Sequence, residues 1–406
     1  MIKMQQINGG ICAAGGFKAS GIHCGIRKNK AKKDLALIVS DTDCAVACVY
    51  TQNLVKGAPI NVTRQNVANG TARAIICNSG NANTCNTDGE DKARLMCTLC
   101  AGQLGINAQD VVVASTGVIG QTLDITPIRD GMPALVDALG QNGEDAAAAI
   151  MTTDTKLKQT AVSFNIGGKE CKLGGIAKGS GMIHPNMATM LVFITTDTAI
   201  SHAMLQQALS EDVKTSFNMV SVDGDTSTND MVCVLANSAA QNTPITSPGE
   251  DYNTFCEALG TVTRSLCRMI AADGEGATRL LECKVTGAVD DLNARTAARA
   301  VICSSLVKAA MFGADANWGR VLCAIGYSKA DTDITRVDVA FSSAAGYISV
   351  CRDGCGVDFD EDTAKKILSE SEIEILINLN TANGEAVAWG CDLTYDYVKI
   401  NGDYRT

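Results

Sequence analysis

One threonine stands where a chain could make its own nucleophile. In AKGSGMIHPNMATMLVFITTDT, Gly and Pro punctuation between Gly179 and Pro185 runs into the small Ala188, then Thr189, then an apolar stretch with strand character. A hydroxyl at a strand's start can attack the carbonyl carbon before it, because Ala188 offers little steric obstruction. An N-to-O acyl shift gives an ester, and hydrolysis of that ester frees a new α-amine on Thr189. This amine has a reference pKa of about 7.7–8.0, so near neutral pH a useful fraction is uncharged and serves as general base to the same residue's hydroxyl. The plain alternative is a strand-edge threonine, since Thr is a strand former.

Other chemistries have weaker support. The chain has three histidines (His23, His184, His202) without a nearby carboxylate pattern, and it contains neither GxSxG nor a Walker loop. Cys97 with Cys100 in LMCTLC, and Cys351 with Cys355 in CRDGC, have the spacing of metal-ligand pairs. The first pair lies in a run with helical periodicity, where cysteines three apart face a core, and a second CxxC is missing. No metal site is expected. A second feature of interest is Ser-Thr-Gly after the apolar run DVVVA, which puts Thr116 and Gly117 at a strand end, where glycine lets backbone approach a ligand closely. A simple strand-to-loop turn is the other reading of those residues.

These residues need elements to hold them. Short β-branched runs predict strands at LALIVS from Leu35, ARAIICNSG from Ala72, DVVVASTG from Asp110, TMLVFITTDT from Thr189 and DMVCVLANS from Asp230. Some of these should be buried on both faces. Apolar residues returning every three or four positions predict helices over Asp91 to Leu104, His202 to Phe217, Tyr252 to Ala272 and Leu292 to Phe312. After residue 325 the texture shifts to strands joined by polar or Gly-containing turns, with one helix near Glu361 to Leu368. The pattern gives an α/β or α+β class. Two domains are expected, an active-site domain over residues 1–280 and a smaller C-terminal α+β domain over 281–406.

At 406 residues, 46% of them apolar, the chain can bury a large core. Its formal net charge of −10 leaves no basic field for a phosphate backbone, so nucleic acid is not an expected partner. No apolar stretch of signal-peptide length opens the chain and no segment reaches the roughly 18 apolar residues of a membrane span, so a cytoplasmic protein without a membrane partner is expected. Eighteen cysteines in a chain with this much core read as reduced, mostly buried small residues rather than a disulfide scaffold.

The stretch KGSGMIHPNMATML resembles the signature of the ornithine acetyltransferase family, arginine-biosynthesis enzymes that mature by cleavage before the Thr of that motif. The resemblance covers essentially the whole chain. GGICAAGGFKASGIHCGI near the start, CNSGNANTC from Cys77, VASTGVIGQ from Val113, MTTDT from Met151, VDGDTSTNDM from Val222, DGEGAT from Asp273, KAAMFGADANWGR from Lys308 and the terminal NGDYRT all look like family motifs in family order.

The resemblance implies a layered α-β-β-α sandwich, self-cleaving and N-terminal-nucleophile-like, with fragments 1–188 and 189–406 remaining associated, two pairs forming a heterotetramer. It implies that Thr189 takes acetyl from N-acetylornithine as an ester, releases ornithine, and passes the acetyl to glutamate in a ping-pong scheme. Thr116 and Gly117 would form the oxyanion hole. Thr153, Lys178, Thr189, Glu275, Asn401 and Thr406 would bind substrate. By charge, Lys178 suits a substrate carboxylate and Glu275 an ammonium; for Lys and Glu the ordinary alternative is a solvated surface group. No bound cofactor is implied, although bifunctional members also use acetyl-CoA as co-substrate, and that is the expectation here.

Two positions depart from the family pattern. KLKQT follows MTTDT where the family commonly has an aromatic-proline pair, and Gly402 replaces the usual Ala. Two other readings compete. An N-terminal-nucleophile aminopeptidase or amidase of the same fold would use water in place of glutamate, and a non-catalytic Cys-rich binding protein would remain uncut.

Overall fold

The β-branched runs assemble into two sheets, one in each of two units. In the computed structural model, which describes residues 4–184 and 190–403, the first unit comprises Met1–Gly179, Asn186–Lys214 and Thr226–Leu266. The second comprises Ser180–Pro185, Thr215–Asp225 and Cys267–Thr406. Helices and strands mix in both, the α+β class.

The sheet of the first unit runs, edge to edge, Gln5–Ile7, Lys158–Ile166, Lys169–Lys178, Leu191–Thr196, Met231–Ala236, Leu35–Tyr50, Thr71–Asn78 and Val111–Ser115, with Phe17–Ile22 also paired to Leu35–Tyr50. Its central strands are apolar on both faces because both faces are covered. Leu191–Thr196 and Met231–Ala236 are buried throughout, as is the edge strand Val111–Ser115. Alternation assigns the two faces. Ala36 and Ile38 pack with Ile176, Phe193, Cys233 and the alanines of helix Gly143–Ile150 on one side. On the other, Leu35 and Leu37 pack with Ile76 and Val113 against helices Gly89–Leu104 and Thr126–Asp137. Cys97 and Cys100 point into this second core, which explains their helical spacing without a metal.

The sheet of the second unit runs Cys355–Gly356, Gly346–Arg352, Asp338–Ser343, Glu372–Asn378, Leu280–Ala288, Gly384–Cys391 and Val220–Ser221. Its helices start at side-chain caps. Asp290 accepts from the Asn293 N–H at the head of Asp291–Cys303, Ser304 from Val307 at Ser305–Phe312, Asn317 from Arg320 at Trp318–Tyr327, and Asp360 from Thr363 at Glu361–Leu368. The single helix expected over Leu292 to Phe312 is therefore two. Ser304, in an extended conformation (φ −71°, ψ 111°), ends one and caps the next. The chain then continues through Glu361–Leu368 to a last helix, Tyr395–Asp403.

All eighteen cysteines are free and most are buried. Burial pushes several thiols up, Cys97 and Cys100 to about 12, which leaves them inert as nucleophiles. Among the described residues no helix is long and apolar enough to cross a membrane, and no group of three or more His, Cys, Asp or Glu is placed to hold a metal ion.

Candidate active site

In the first unit the site is built where neighbouring strands end. Thr71–Asn78 and Val111–Ser115 run parallel, with Asn78 opposite Ser115. Asn78 then fixes both exits. Its Nδ2 donates to Ser115 Oγ at 2.6 Å, its Oδ1 accepts from the N–H groups of Gly80 (3.2 Å) and Asn81 (3.0 Å), and its carbonyl accepts from the Thr116 N–H at 2.9 Å. Asn229 closes the arrangement by donating to the carbonyls of Ala82 (2.6 Å) and Ser115 (2.9 Å).

Gly117 follows at φ +129°, and a Cβ there would lie 2.8 Å from the Asn81 nitrogen and from the Gly80 carbonyl carbon. Only glycine satisfies both the dihedral and the space. Among the described residues the Gly117 N–H, a backbone donor held by its neighbours, has no hydrogen-bond acceptor.

Lys178 ends its strand opposite Leu191 and is 8% exposed, with its Nζ 3.4 Å from Thr116 Oγ1. Thr116, Gly117 and Lys178 are thus brought together. Thr189 and Ala188 lie outside the described residues, as does Thr406. The chain neighbour Met190 is buried, and its carbonyl accepts from the Met231 N–H at 2.9 Å. Met190 and Leu191 are therefore held in the same sheet as Lys178.

Thr153 is half-buried, and the residue after it organises this end of the sheet. Asp154 is buried, and its carboxylate accepts from Lys158 Nζ (2.7 Å), the Gly179 N–H (2.7 Å) and the Thr152 N–H (2.9 Å). Burial alone would push its carboxyl up, but the charges of Lys158 and Lys178 outweigh burial and hold it at about 2. Lys158, 1% exposed, belongs to the KLKQT segment that departs from the family pattern. Lys158 supplies the cation of a buried ion pair with Asp154.

Two predictions arise here. Lys158→Met leaves Asp154 buried without its closest counter-charge and is expected to cost about 3–5 kcal/mol, read by denaturant unfolding; a Lys158→Met, Asp154→Leu double variant should recover much of that loss. Because the Asp154 pKa is depressed, its contribution is fully present above about pH 4 and is lost as pH falls toward 2. The Lys158 variant should lack that acid limb.

In the second unit, Glu275 and Asn401 meet: Asn401 Nδ2 donates to the Glu275 carboxylate at 2.8 Å and to the Tyr397 carbonyl at 3.0 Å. Glu275 is 9% exposed, and its N–H donates to the Ser180 carbonyl at 2.9 Å. Its carboxylate lies so close over Gly181 that a side chain at 181 would displace it. The Ser180 hydroxyl donates to the Asp273 carbonyl at 2.7 Å, so Asp273–Glu275 and Ser180–Gly181 form one packed corner.

His184 follows in the same segment, with Nδ1 3.2 Å from Ser221 Oγ and 3.4 Å from Cys303 Sγ, and Nε2 3.1 Å from Arg299 Nη2. Burial first, then the Arg299 charge, lower its pKa against the smaller pull of Asp223 and Asp225. The folded state thus prefers the neutral ring, and the unfolded chain binds the extra proton. Stability is expected to be flat above about pH 6.5 and to fall as pH drops below that value. His184→Gln should remove this slope in a series of unfolding midpoints.

Sequence motifs pointed to Thr116, Gly117, Thr153, Lys178, Glu275 and Asn401 but not to Asp154, Asn78, Asn229 or Asp223. The signal available for these was a short polar residue inside each motif, whose partner lies far along the chain.

The chain matches the ArgJ family over residues 18–406. It belongs to that family. Among curated relatives it is 52% identical over 406 residues to the arginine biosynthesis bifunctional protein ArgJ of Symbiobacterium thermophilum, covering 99% of this chain and 100% of that one. It is 50% identical over 392 residues to ArgJ 1 of Clostridium acetobutylicum, covering 96% of each. Among solved structures, the crystal structure of arginine biosynthesis bifunctional protein ArgJ from Bacillus halodurans superposes with a TM-score of 0.50 at 46% identity, covering 52% of this chain and 98% of that chain.

Proposed function

We propose that this ArgJ-family chain cuts itself between Ala188 and Thr189 and then transfers acetyl from N-acetylornithine to glutamate through an acetyl ester on Thr189. The chain is an acyltransferase of arginine biosynthesis acting on small molecules. The observation that carries the mechanism is the Thr116–Gly117 strand end, where only glycine fits at 117 and Lys178 Nζ reaches the Thr116 hydroxyl.

In maturation, Thr189 Oγ attacks the Ala188 carbonyl carbon, the C–N bond breaks, and the nitrogen takes a proton. Water then opens the ester, leaving a carboxylate on Ala188 and a free amine and hydroxyl on Thr189. In turnover that amine takes the hydroxyl proton as Oγ attacks the N-acetylornithine carbonyl. The oxyanion is met by the Thr116 hydroxyl and the Gly117 N–H, on a backbone held by the Thr116 N–H bond to Asn78 and packed against Gly80–Asn81. Collapse returns the proton to the leaving nitrogen and releases ornithine. The glutamate amine attacks the acetyl ester in the reverse sense, giving N-acetylglutamate and restoring Thr189. Lys178 suits a substrate carboxylate and the Glu275–Asn401 pair an ammonium, with Thr153 and Thr406 completing the set.

The solved Bacillus halodurans chain is about half as long as this one, as one product of a cut near residue 188 would be. We extend the reading to acetyl-CoA as a second acetyl donor, to a cytoplasmic enzyme without bound cofactor, and to a heterotetramer of two fragment pairs.

The test is intact mass and N-terminal sequencing of the purified protein, with assays on N-acetylornithine plus glutamate, on N-acetylornithine alone, and on acetyl-CoA plus glutamate. A fragment beginning Thr189-Met190-Leu191 and glutamate-dependent ornithine release are expected. Equal release without glutamate would falsify transfer in favour of an amidase. An uncut, inert chain would mean a binding protein. Absence of N-acetylglutamate from acetyl-CoA would restrict the donor to N-acetylornithine.

A further inference from the structure

The ladder between Lys158–Ile166 and Lys169–Lys178 closes with Lys158 opposite Ala177, so Lys178 and Gly179 run on past the last residue paired to them on that side. A side chain takes over where the strand stops. Asp154 Oδ1 accepts from the Gly179 N–H and from Lys158 Nζ, each at 2.7 Å, and its Oδ2 accepts from the Thr152 N–H at 2.9 Å. One carboxylate therefore closes the turn over residues 152–154, which carries Thr153, and ties that turn to the Lys178–Gly179 peptide 25 positions away.

The division of the two cations matters as much as the backbone bonds. Lys158 is 1% exposed and its ammonium sits on the Asp154 carboxylate, whereas Lys178 Nζ donates to Thr116 Oγ1 at 3.4 Å. Asp154 thus takes its close counter-charge from Lys158, and the Lys178 ammonium is directed to the strand end that carries Thr116 and Gly117. A buried carboxylate without such a partner would recruit the nearest cation.

We propose that Asp154 is a positioning residue for substrate recognition: its carboxylate sets the spacing between Thr153 and Lys178, and its pairing with Lys158 leaves the Lys178 ammonium to the substrate carboxylate. The inference rests on the reading of Thr153 and Lys178 as substrate-binding groups given above. An ammonium on a flexible stem selects a carboxylate only where its backbone is fixed, and misplacing such a group by about 1 Å costs on the order of 100-fold.

The experiment compares two acetyl donors in the full-length protein, N-acetylornithine and N-acetylputrescine, which is the same donor without its carboxylate. The variants are Lys178→Met, Asp154→Asn and the Lys158→Met, Asp154→Leu double, each beside wild type and with thermal unfolding measured. In a ping-pong scheme kcat/KM for the donor reports the first half-reaction alone, so the ratio of the two values measures recognition of the carboxylate. Wild type is expected to favour N-acetylornithine by about 100-fold or more, and Lys178→Met to lose that preference. Asp154→Asn turns one acceptor atom into a donor, which then faces the N–H of either Thr152 or Gly179. It is expected to lower the preference at least about tenfold, the equivalent of one charge-assisted hydrogen bond. The double variant removes both buried charges together, so it is expected to unfold close to wild type and still to show the lowered preference. For a variant that does not cut itself, the same ratio is read from binding of ornithine against putrescine by calorimetry.

A merely structural role would lower both donors alike. An unchanged preference in Asp154→Asn and in the double variant, with Lys178→Met having lost it, overturns the inference, as does a double variant whose stability and preference both match wild type. A wild type that does not favour N-acetylornithine over N-acetylputrescine, or a Lys178→Met that keeps the preference, fails the parent reading of Lys178 instead.

Discussion

Thr189→Ala is expected to persist as one 42.4 kDa chain and to lose acetyl transfer by at least about 10⁴-fold. Two losses combine. Without the hydroxyl there is no attack on Ala188, so the α-amine is never freed, and without the hydroxyl there is nothing to acetylate. Thr189→Ser separates them, because it keeps a hydroxyl on the same backbone. Serine should cut and form the acetyl ester, with rates reduced by the rotamer freedom that the threonine methyl suppresses. Mass spectrometry after brief exposure to N-acetylornithine without glutamate should find one added acetyl group on the 189–406 fragment of wild type and none on the alanine variant. Acetyl on any other residue would remove Thr189 from the centre of the scheme.

Gly117→Ala is expected to fold, to cut, and to transfer acetyl about 100 to 1,000-fold more slowly, the usual consequence of misplacing one oxyanion donor. At φ +129° an alanine is strained, and its Cβ would press on the Gly80–Asn81 backbone that Asn78 holds in place. The cheapest relief is rotation of the 116–117 peptide, which moves the very N–H the oxyanion needs. Local strain of this kind costs about 1–3 kcal/mol, too little to unfold a chain with two sheets and enough to lose the geometry. The loss should fall in kcat rather than KM, since the donor matters where charge develops. Thr116→Val, which removes a hydroxyl without moving backbone, should show a smaller fall of the same kind. A Gly117→Ala enzyme with unchanged kcat would place the oxyanion elsewhere.

Much of the architecture was legible where a single physical pattern dominated. Leu191–Thr196 and Met231–Ala236 are runs of apolar and β-branched residues and were read as strands, and helix Glu361–Leu368 was read with its ends in place. Legibility failed where polar residues interrupt an element for local reasons. LALIVS was read as a short strand, yet the strand continues to Tyr50 through Ser40–Asp43, with a register shift between Val39 and Cys44 that lets Asp41 and Asp43 face solvent. The helix expected over His202 to Phe217 ends at Asp212, and Phe217 instead opens a separate short turn, buried in its own right.

At the site, Gly117 was legible because a strand-end glycine has few bland explanations, and its dihedral supplies the reason for its type. Asp154 and Lys158 were not. Their spacing of four suggests an exposed helical pair, whereas here both are buried in the approach to a strand and at its start, each the other's close counter-charge. Asp223 was missed for a different reason: its carboxylate accepts from the backbone N–H groups of Met182 and Ile183, which no sequence motif displays.

The strand order of the first sheet carries a further consequence. Leu191–Thr196 and Met231–Ala236 follow residue 189 in the chain, yet they lie between Lys169–Lys178 and Leu35–Tyr50, which precede it. A cut before Thr189 therefore leaves two molecules interleaved in one sheet, each completing hydrogen-bond ladders of the other. Before the cut, refolding is a unimolecular search by one chain. Afterwards the same sheet can be regained only by a bimolecular encounter between partners whose inner strands have no finished edge to meet. The persistence of the mature protein becomes a matter of its unfolding rate rather than of an equilibrium, and dilution, harmless to the precursor's refolding, works against recovery of the enzyme.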